Sequence, residues 1–316
     1  MDSPAATPIN APARRPSSFL LFLALAALLV MWSVNYLAAK FALEHFDPLT
    51  LAVFRLVFAV PFILPVYLFH RARTPLRRED IWLLVWLALF GVVLNRGGFV
   101  IGLAYTTAGH SSVILAVGPI VILLLASALK LEALTLGKAC GMALSFTGVA
   151  ILAVENGLQL RSATLAGDLI TLTASTGFAI WTVLGKKLAK QYDTISMNFF
   201  NIAMGAALVL PLAVRQGLRL DWARVGWQGW AGLLYMTVVS SVAAYLLFYW
   251  ALQHMDASRV AATNYFQPVG AILLAAIFLG ERPTAHLLIG AALVLLGVYL
   301  AERGASSERA GALSSG

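Results

Sequence analysis

Two arginines stand inside long apolar stretches of this chain. Arg55 lies six residues past Leu49, and Arg96 nine before Tyr105. At 1.5 Å of helix rise per residue, each sits roughly 10–14 Å from the end of its stretch. A guanidinium at that depth in a bilayer costs at least about 2.5 kcal/mol unless it is paired or meets water. No acidic residue occupies a comparable position. The chemistry this fits is recruitment of an anionic group, such as a solute carboxylate, into a hydrated cavity. The competing use is structural, with the side chains snorkelling or capping helix carbonyls. Asn95 adjoins Arg96, while Asn198 and Asn201 stand at i, i+3 in another apolar stretch. Buried amides either contact a ligand or bond one helix to the next.

Aromatic residues are plentiful in the apolar stretches. Trp32, Tyr36, Trp181, Tyr245, Tyr249 and Tyr265 fall in or near the middle of apolar stretches, where rings with polar tips suit a cavity for a partly apolar solute. Trp227, Trp230 and Trp250 lie nearer the ends, as an interfacial belt does. Pro119 and Pro268 interrupt apolar stretches and are expected to kink them, as hinges or as fixed bends. The histidines His45, His70, His110, His254 and His286 are dispersed with no metal-ligand spacing, so no metal and no cofactor are expected. The carboxylates also keep to the ends of stretches. Asp168 and His110 come nearest to an intramembrane ionisable group and are the candidates for proton coupling. Cys140 is the only cysteine and is expected to be buried packing.

The elements that must position these groups are apolar helices. The chain is 60% hydrophobic and 11% charged, with a mean hydropathy of +0.85, where a soluble domain carries about 25% charged residues. Ten apolar segments are expected, at 19–39, 49–69, 81–105, 111–129, 134–154, 165–184, 195–214, 227–252, 257–279 and 285–301. Each is long enough to cross a hydrocarbon core of about 30 Å. Residues 1–18, rich in Pro and Ala, are expected to be a disordered tail, and 303–316 a second tail. The net charge of +8 is assigned to membrane orientation rather than to nucleic acid. Fourteen of the 22 Lys and Arg fall on the side of the N-terminus and six on the other, which favours cytoplasmic termini.

The chain also repeats itself. Pro119, Glu132, Thr135, Gly141, Gly148 and Val149 recur 149 residues later as Pro268, Glu281, Thr284, Gly290, Gly297 and Val298. Residues 46–50 recur as 192–196, at an offset of 146. Two halves, 19–154 and 165–302, therefore flank a loop at 155–164. Five helices in each half, an odd number, make the halves inverted. Inverted repeats around a midplane site are a transporter architecture. Across the halves Arg55 faces Asn201 at offset 146 and Arg96 faces Tyr245 at offset 149, so positive charge comes from one half only.

The repeated block, from the proline through Glu-x-x-Thr to Gly-Val, resembles the EamA unit of the drug/metabolite transporter superfamily. Within it the chain is similar to bacterial aromatic amino-acid exporters. The resemblance implies an all-α membrane protein of the bacterial inner membrane, with ten transmembrane helices as two inverted five-helix repeats around a central cavity. It implies export of amino acids by alternating access, with a small-molecule solute and the lipid bilayer as partners and no enzymatic activity. Helices one, three, four, six, eight and nine would line the cavity. That favours Trp32, Tyr36, Asn95, Arg96, Trp181, Tyr245 and Tyr265 and gives less support to Arg55. The intramembrane Glu of the four-helix multidrug relatives is missing from the first helix, so their coupling chemistry is not carried over. The rivals are export of other metabolites or nucleotide-linked sugars, and a membrane-embedded enzyme.

Overall fold

The computed structural model describes residues 17–128, 136–153, 163–185, 188, 191–254 and 266–314, and regular structure among them is helical throughout. Among the described residues the helices are, in chain order, α1 (Ser18–Leu43), α2 (Pro48–Phe69), α3 (Arg78–Tyr105), α4 (Ala108–Ala128), α5 (Leu136–Ala153), α6 (Ala163–Gly185), α7 (Thr194–Arg219), α8 (Trp227–His254), α9 (Gln267–Leu279) and α10 (Ala285–Ser314). Six of them, α1 to α3 and α6 to α8, are long and apolar enough to cross a bilayer. The other four carry shorter apolar helices of 10–17 residues. The last helix continues to Ser314, through the expected tail. Its Ala, Glu and Arg are good helix formers even where the sequence is polar.

Local chemistry sets the helix ends and breaks. Asp47 caps α2, accepting from the N–H groups of Leu49 and Thr50, and Asp193 caps α7 through Ile195 and Ser196 in the same way. These caps stand 146 residues apart, as the repeat requires. α2 is interrupted at Phe58 and Ala59. Pro61 lacks the N–H that would bond to Val57 and its ring crowds that carbonyl. α4 breaks at Ala116 and Val117 for the same reason, with Pro119 four residues past Leu115. Pro268 sits in the first turn of α9.

Two helices leave α geometry midway, in the same register. α3 is π-helical over Leu89–Gly97, and α8 over Tyr235–Ala243. The two stretches are offset by 146 residues at both ends. The aligned counterpart of Arg96 is therefore Val242, and that of Tyr245 is Phe99. The expected pairing of Arg96 with Tyr245 is corrected. The 149-residue spacing holds for the proline-to-glycine block, whereas the α3–α8 pair keeps the shorter one.

Small residues let helices meet closely. A Cβ on Gly148 of α5 would lie 2.6 Å from the carbonyl oxygen of Gly290 on α10, and one on Gly297 would lie 2.5 Å from that of Gly141. Cys140 is exposed, contrary to the expectation of burial. It adjoins the face that meets α10. In a membrane protein the outer surface is as apolar as the interior, so an apolar run does not say which side faces in.

The halves are also tied at the loop after α2. The Thr74 N–H donates to Asp193 Oδ2 at 2.8 Å, and His70 Nε2 lies 3.3 Å from Asp193 Oδ1. The Tyr192 hydroxyl accepts from the Arg77 N–H at 3.1 Å and donates to Asp80 at 2.9 Å. Burial raises the pKa of the Tyr192 phenol, and the neighbouring Asp80 reinforces the shift.

Candidate functional site

Arg55 and Arg96 come together where α1, α2, α3 and α8 meet. Both are buried, 3% and 4% exposed. Arg55 is carried by the turn of α2 just before its proline break. Its guanidinium lies over the Phe99 ring, 5.5 Å from the centroid. Its Nε and Nη2 point at Ser241 and Ser240 Oγ, both at 3.4 Å, the long limit of a hydrogen bond. Those serines belong to the π-helical stretch of α8, where the Ser241 hydroxyl donates to the Met236 carbonyl five residues back. Arg96 belongs to the π-helical stretch of α3 and lies 3.9 Å from the centroid of the Tyr245 ring. π-Helical turns recur at functional sites because the wider turn re-aims side chains.

Aromatic rings close this cluster. Tyr36 packs edge-on to Phe99 at 5.1 Å, and Trp32 packs against Tyr245 at 5.8 Å and Phe248 at 5.6 Å. Among the described residues no carboxylate reaches salt-bridge distance of either guanidinium. The buried carboxylates Asp80 and Asp168 are engaged elsewhere. Arg55 Nη1, Arg96 Nε, the Tyr36 hydroxyl and both polar atoms of the Asn198 amide are buried without a hydrogen-bond partner. Magnitudes decide what this means. Desolvating an ion costs several kcal/mol after relaxation, and a desolvated cation–π contact returns about 2. The ring contacts return less than that cost, and both guanidinium groups stay short of hydrogen-bond partners among the described residues.

The remaining candidates do not join it. Asn95 Nδ2 donates to the Ala174 carbonyl at 3.0 Å and so binds α3 to α6. Trp181 lies over Gly91, where any Cβ would collide with the indole, and its Nε1 reaches Asn201 Oδ1 at 3.4 Å. Asn201 gives its Nδ2 back to the Met197 carbonyl at 2.9 Å. These two form a second polar contact, between α6 and α7. Tyr265 lies outside the described residues. Phe99, Ser240 and Ser241 were missed by sequence reasoning. Phe99 could have been found from the 146-residue offset that pairs it with Tyr245, whereas two serines in an apolar run carry no such signal.

A different site joins His110 and Asp168. Both are buried, and His110 Nδ1 lies 3.1 Å from Asp168 Oδ2. The Thr106 hydroxyl donates to Asp168 Oδ1 at 2.5 Å, and Lys40 Nζ donates to the Thr106 carbonyl at 2.7 Å. Lys40 also lines an open cleft of about 380 Å³ with Leu43, Glu44, Pro48, Ala104, Leu279 and Glu281. Gly280, at φ +66°, ends α9 and turns the chain there. Glu281 then accepts the Ala108 and Gly109 N–H groups at the start of α4, at 3.1 and 3.4 Å. The positive end of a helix favours such a carboxylate.

Known proteins agree with this architecture. An uncharacterized transporter of Archaeoglobus fulgidus is 30% identical over 280 residues, covering 88% of this chain and 96% of its own. The uncharacterized transporter YoaV of Bacillus subtilis is 23% identical over 88% of this chain and 95% of its own. A WAT1-related protein of Arabidopsis thaliana is 27% identical over 81% of this chain and 74% of its own. A crystal structure matches the fold with a TM-score of 0.62 at 18% identity, over 90% of this chain and 97% of the other. The model of the EamA-like transporter family matches twice, at residues 18–154 and 165–303. With two copies of that unit, several membrane-length helices and transporters for relatives, the chain belongs to the EamA-like transporter family.

Proposed function

We propose that this protein exports small solutes that combine a carboxylate with an apolar body, aromatic and related amino acids among them, across a bacterial inner membrane. The observation that carries this is the pair of buried guanidinium groups, each on an aromatic ring and neither facing a carboxylate among the described residues. Arg55 and Arg96 would hold the carboxylate. Trp32, Tyr36 and Tyr245 would take the apolar body. Asn95, Trp181 and Asn201 would hold the frame.

The six long and four shorter apolar helices are taken as ten spans, five to a repeat, with the repeats inverted and both termini cytoplasmic. Both arginines are shut off from solvent in this conformation. Solute entry therefore needs the halves to move, which is the alternating-access scheme. Pro119 marks where α4 would bend, and Pro268, in the first turn of α9 rather than mid-helix, would be a hinge only at the start of that helix. His110 and Asp168 would couple transport to protons, reached from the open cleft through Lys40 and Thr106. The test is counterflow of labelled phenylalanine and tyrosine in proteoliposomes of the purified protein. Saturable exchange, lost in Arg96→Gln with folding retained, is expected. Absence of exchange for every amino acid tried would refute the substrate assignment.

A further inference from the structure

We infer that the site selects by net charge and takes a solute head bearing two negative charges in preference to a zwitterion. This rests on the assignment of the buried arginine pair as the solute site. The argument is one of charge balance. Two guanidinium groups lie in one desolvated, aromatic-lined cluster, Arg55 on the Phe99 ring and Arg96 on the Tyr245 ring, and neither has a carboxylate partner among the described residues. The flanking groups, Phe99, Tyr245, Tyr36, Ser240 and Ser241, are neutral. A zwitterion brings one negative charge to satisfy two positive ones, and its ammonium adds a third. A monocarboxylate leaves one guanidinium uncompensated. A dicarboxylate or a phosphate monoester satisfies both.

The donors fit that stoichiometry. Arg55 Nη1 and Arg96 Nε are both unpartnered and buried, one on each guanidinium, and the Tyr36 hydroxyl is a third free donor. Charge-assisted hydrogen bonds to guanidinium groups are the strong class of such contacts. The aromatic rings around the arginines leave an apolar boundary for the rest of the solute.

The experiment measures binding to the full-length protein in neutral-lipid nanodiscs, using four probes that keep one phenyl group and vary the head. These are phenylalanine, 3-phenylpropionate, benzylsuccinate and phenyl phosphate. The expected result is a Kd that falls at least about tenfold from phenylalanine to 3-phenylpropionate, and again to one of the two dianions. Which dianion binds tighter tells a dicarboxylate site from a phosphoester site. Arg55→Gln and Arg96→Gln should each abolish the second step, while Arg96→Lys keeps it. A purely structural role for the arginines would weaken all four probes alike. Phenylalanine binding as tightly as the acids overturns the inference and leaves the carboxylate site standing. No saturable binding of any probe overturns both. Should the Gln variants fail to fold, the wild-type series alone decides.

Discussion

Two glycines of α3, only one of them at its crossing with α6, give a pair of substitutions with opposite signs. A Cβ on Gly102 would run into the Thr171 hydroxyl and lie 3.0 Å from the Gly167 carbonyl oxygen and 3.1 Å from the Thr171 nitrogen. The hydroxyl can rotate, but the two backbone atoms cannot. The helices must separate by several tenths of an ångström, and overpacking of this kind costs about 1–3 kcal/mol. Gly97 is also on α3 and also buried, yet a Cβ there meets only Leu56 Cδ1, at 4.0 Å. Gly97→Ala should be stabilising by about 0.4–1 kcal/mol, through the lost freedom of the unfolded chain. The two variants should therefore differ by about 1.5–4 kcal/mol. Reversible unfolding in mixed micelles, titrated with SDS and followed by tryptophan fluorescence, measures this. Gly102→Ala should also disturb the Thr106–Asp168 bond, which spans the same crossing four residues on. A Gly102→Ala protein within about 0.5 kcal/mol of wild type, or a Gly97→Ala protein equally destabilised, would refute the geometry.

Other perturbations read other parts of the molecule. Glu281→Gln removes the carboxylate at the positive end of α4 and should cost about 0.3–1 kcal/mol in unfolding at low ionic strength, less in high salt. For Asp193, burial alone would raise the carboxyl pKa, but hydrogen bonds from Ser196 and Thr74 outweigh it and hold the group below its ordinary 3.8. A depressed carboxyl stabilises above its unfolded pKa and loses that contribution as pH falls through its folded one. The deficit of Asp193→Ala relative to wild type, about 1–2 kcal/mol at pH 7 from the lost cap, should thus shrink below about pH 4 in unfolding titrations. Asp168→Asn keeps the shape that accepts from Thr106 but removes the charge facing His110. Transport driven by an imposed proton gradient should be lost, while counterflow without a gradient persists.

Much of the frame was legible because its signals are local or repeated. Asp47 and Asp193 announce helix starts through the same short motif, and the apolar stretches announce membrane helices through length alone. The proline of α4 announced its break, since a missing N–H acts four residues back wherever it occurs. The site was legible in its charges and not in its partners. Arg55 and Arg96 stand out in an apolar run by cost alone. That Asn95 would spend its amide on the Ala174 carbonyl, and Asn201 on Trp181 and Met197, depends on which helix lies alongside. Sequence periodicity does not carry that information. The exposure of Cys140 was hidden for a related reason, since lipid and core ask for the same residues.

The 146-residue register sharpens what the asymmetry between halves means. Phe99 and Tyr245 are counterparts in that register, and each carries one guanidinium on its ring, Arg55 on the first and Arg96 on the second. The aromatic platforms are therefore part of the duplicated frame, as are the π-helical turns beside them. The charges are not. Arg55 aligns with Asn201, which is engaged by Trp181, and Arg96 aligns with Val242, which packs in an apolar cluster. Both positive charges thus come from the first half and were laid onto a platform that both halves supply. A site built this way has two equivalent rings and unequal polar heads. Under the proposed assignment the rings would take the apolar body of the solute and the two arginines its negative end. On the proposed assignment, substitutions at Arg55 and Arg96, rather than in the frame, would change which solute is taken.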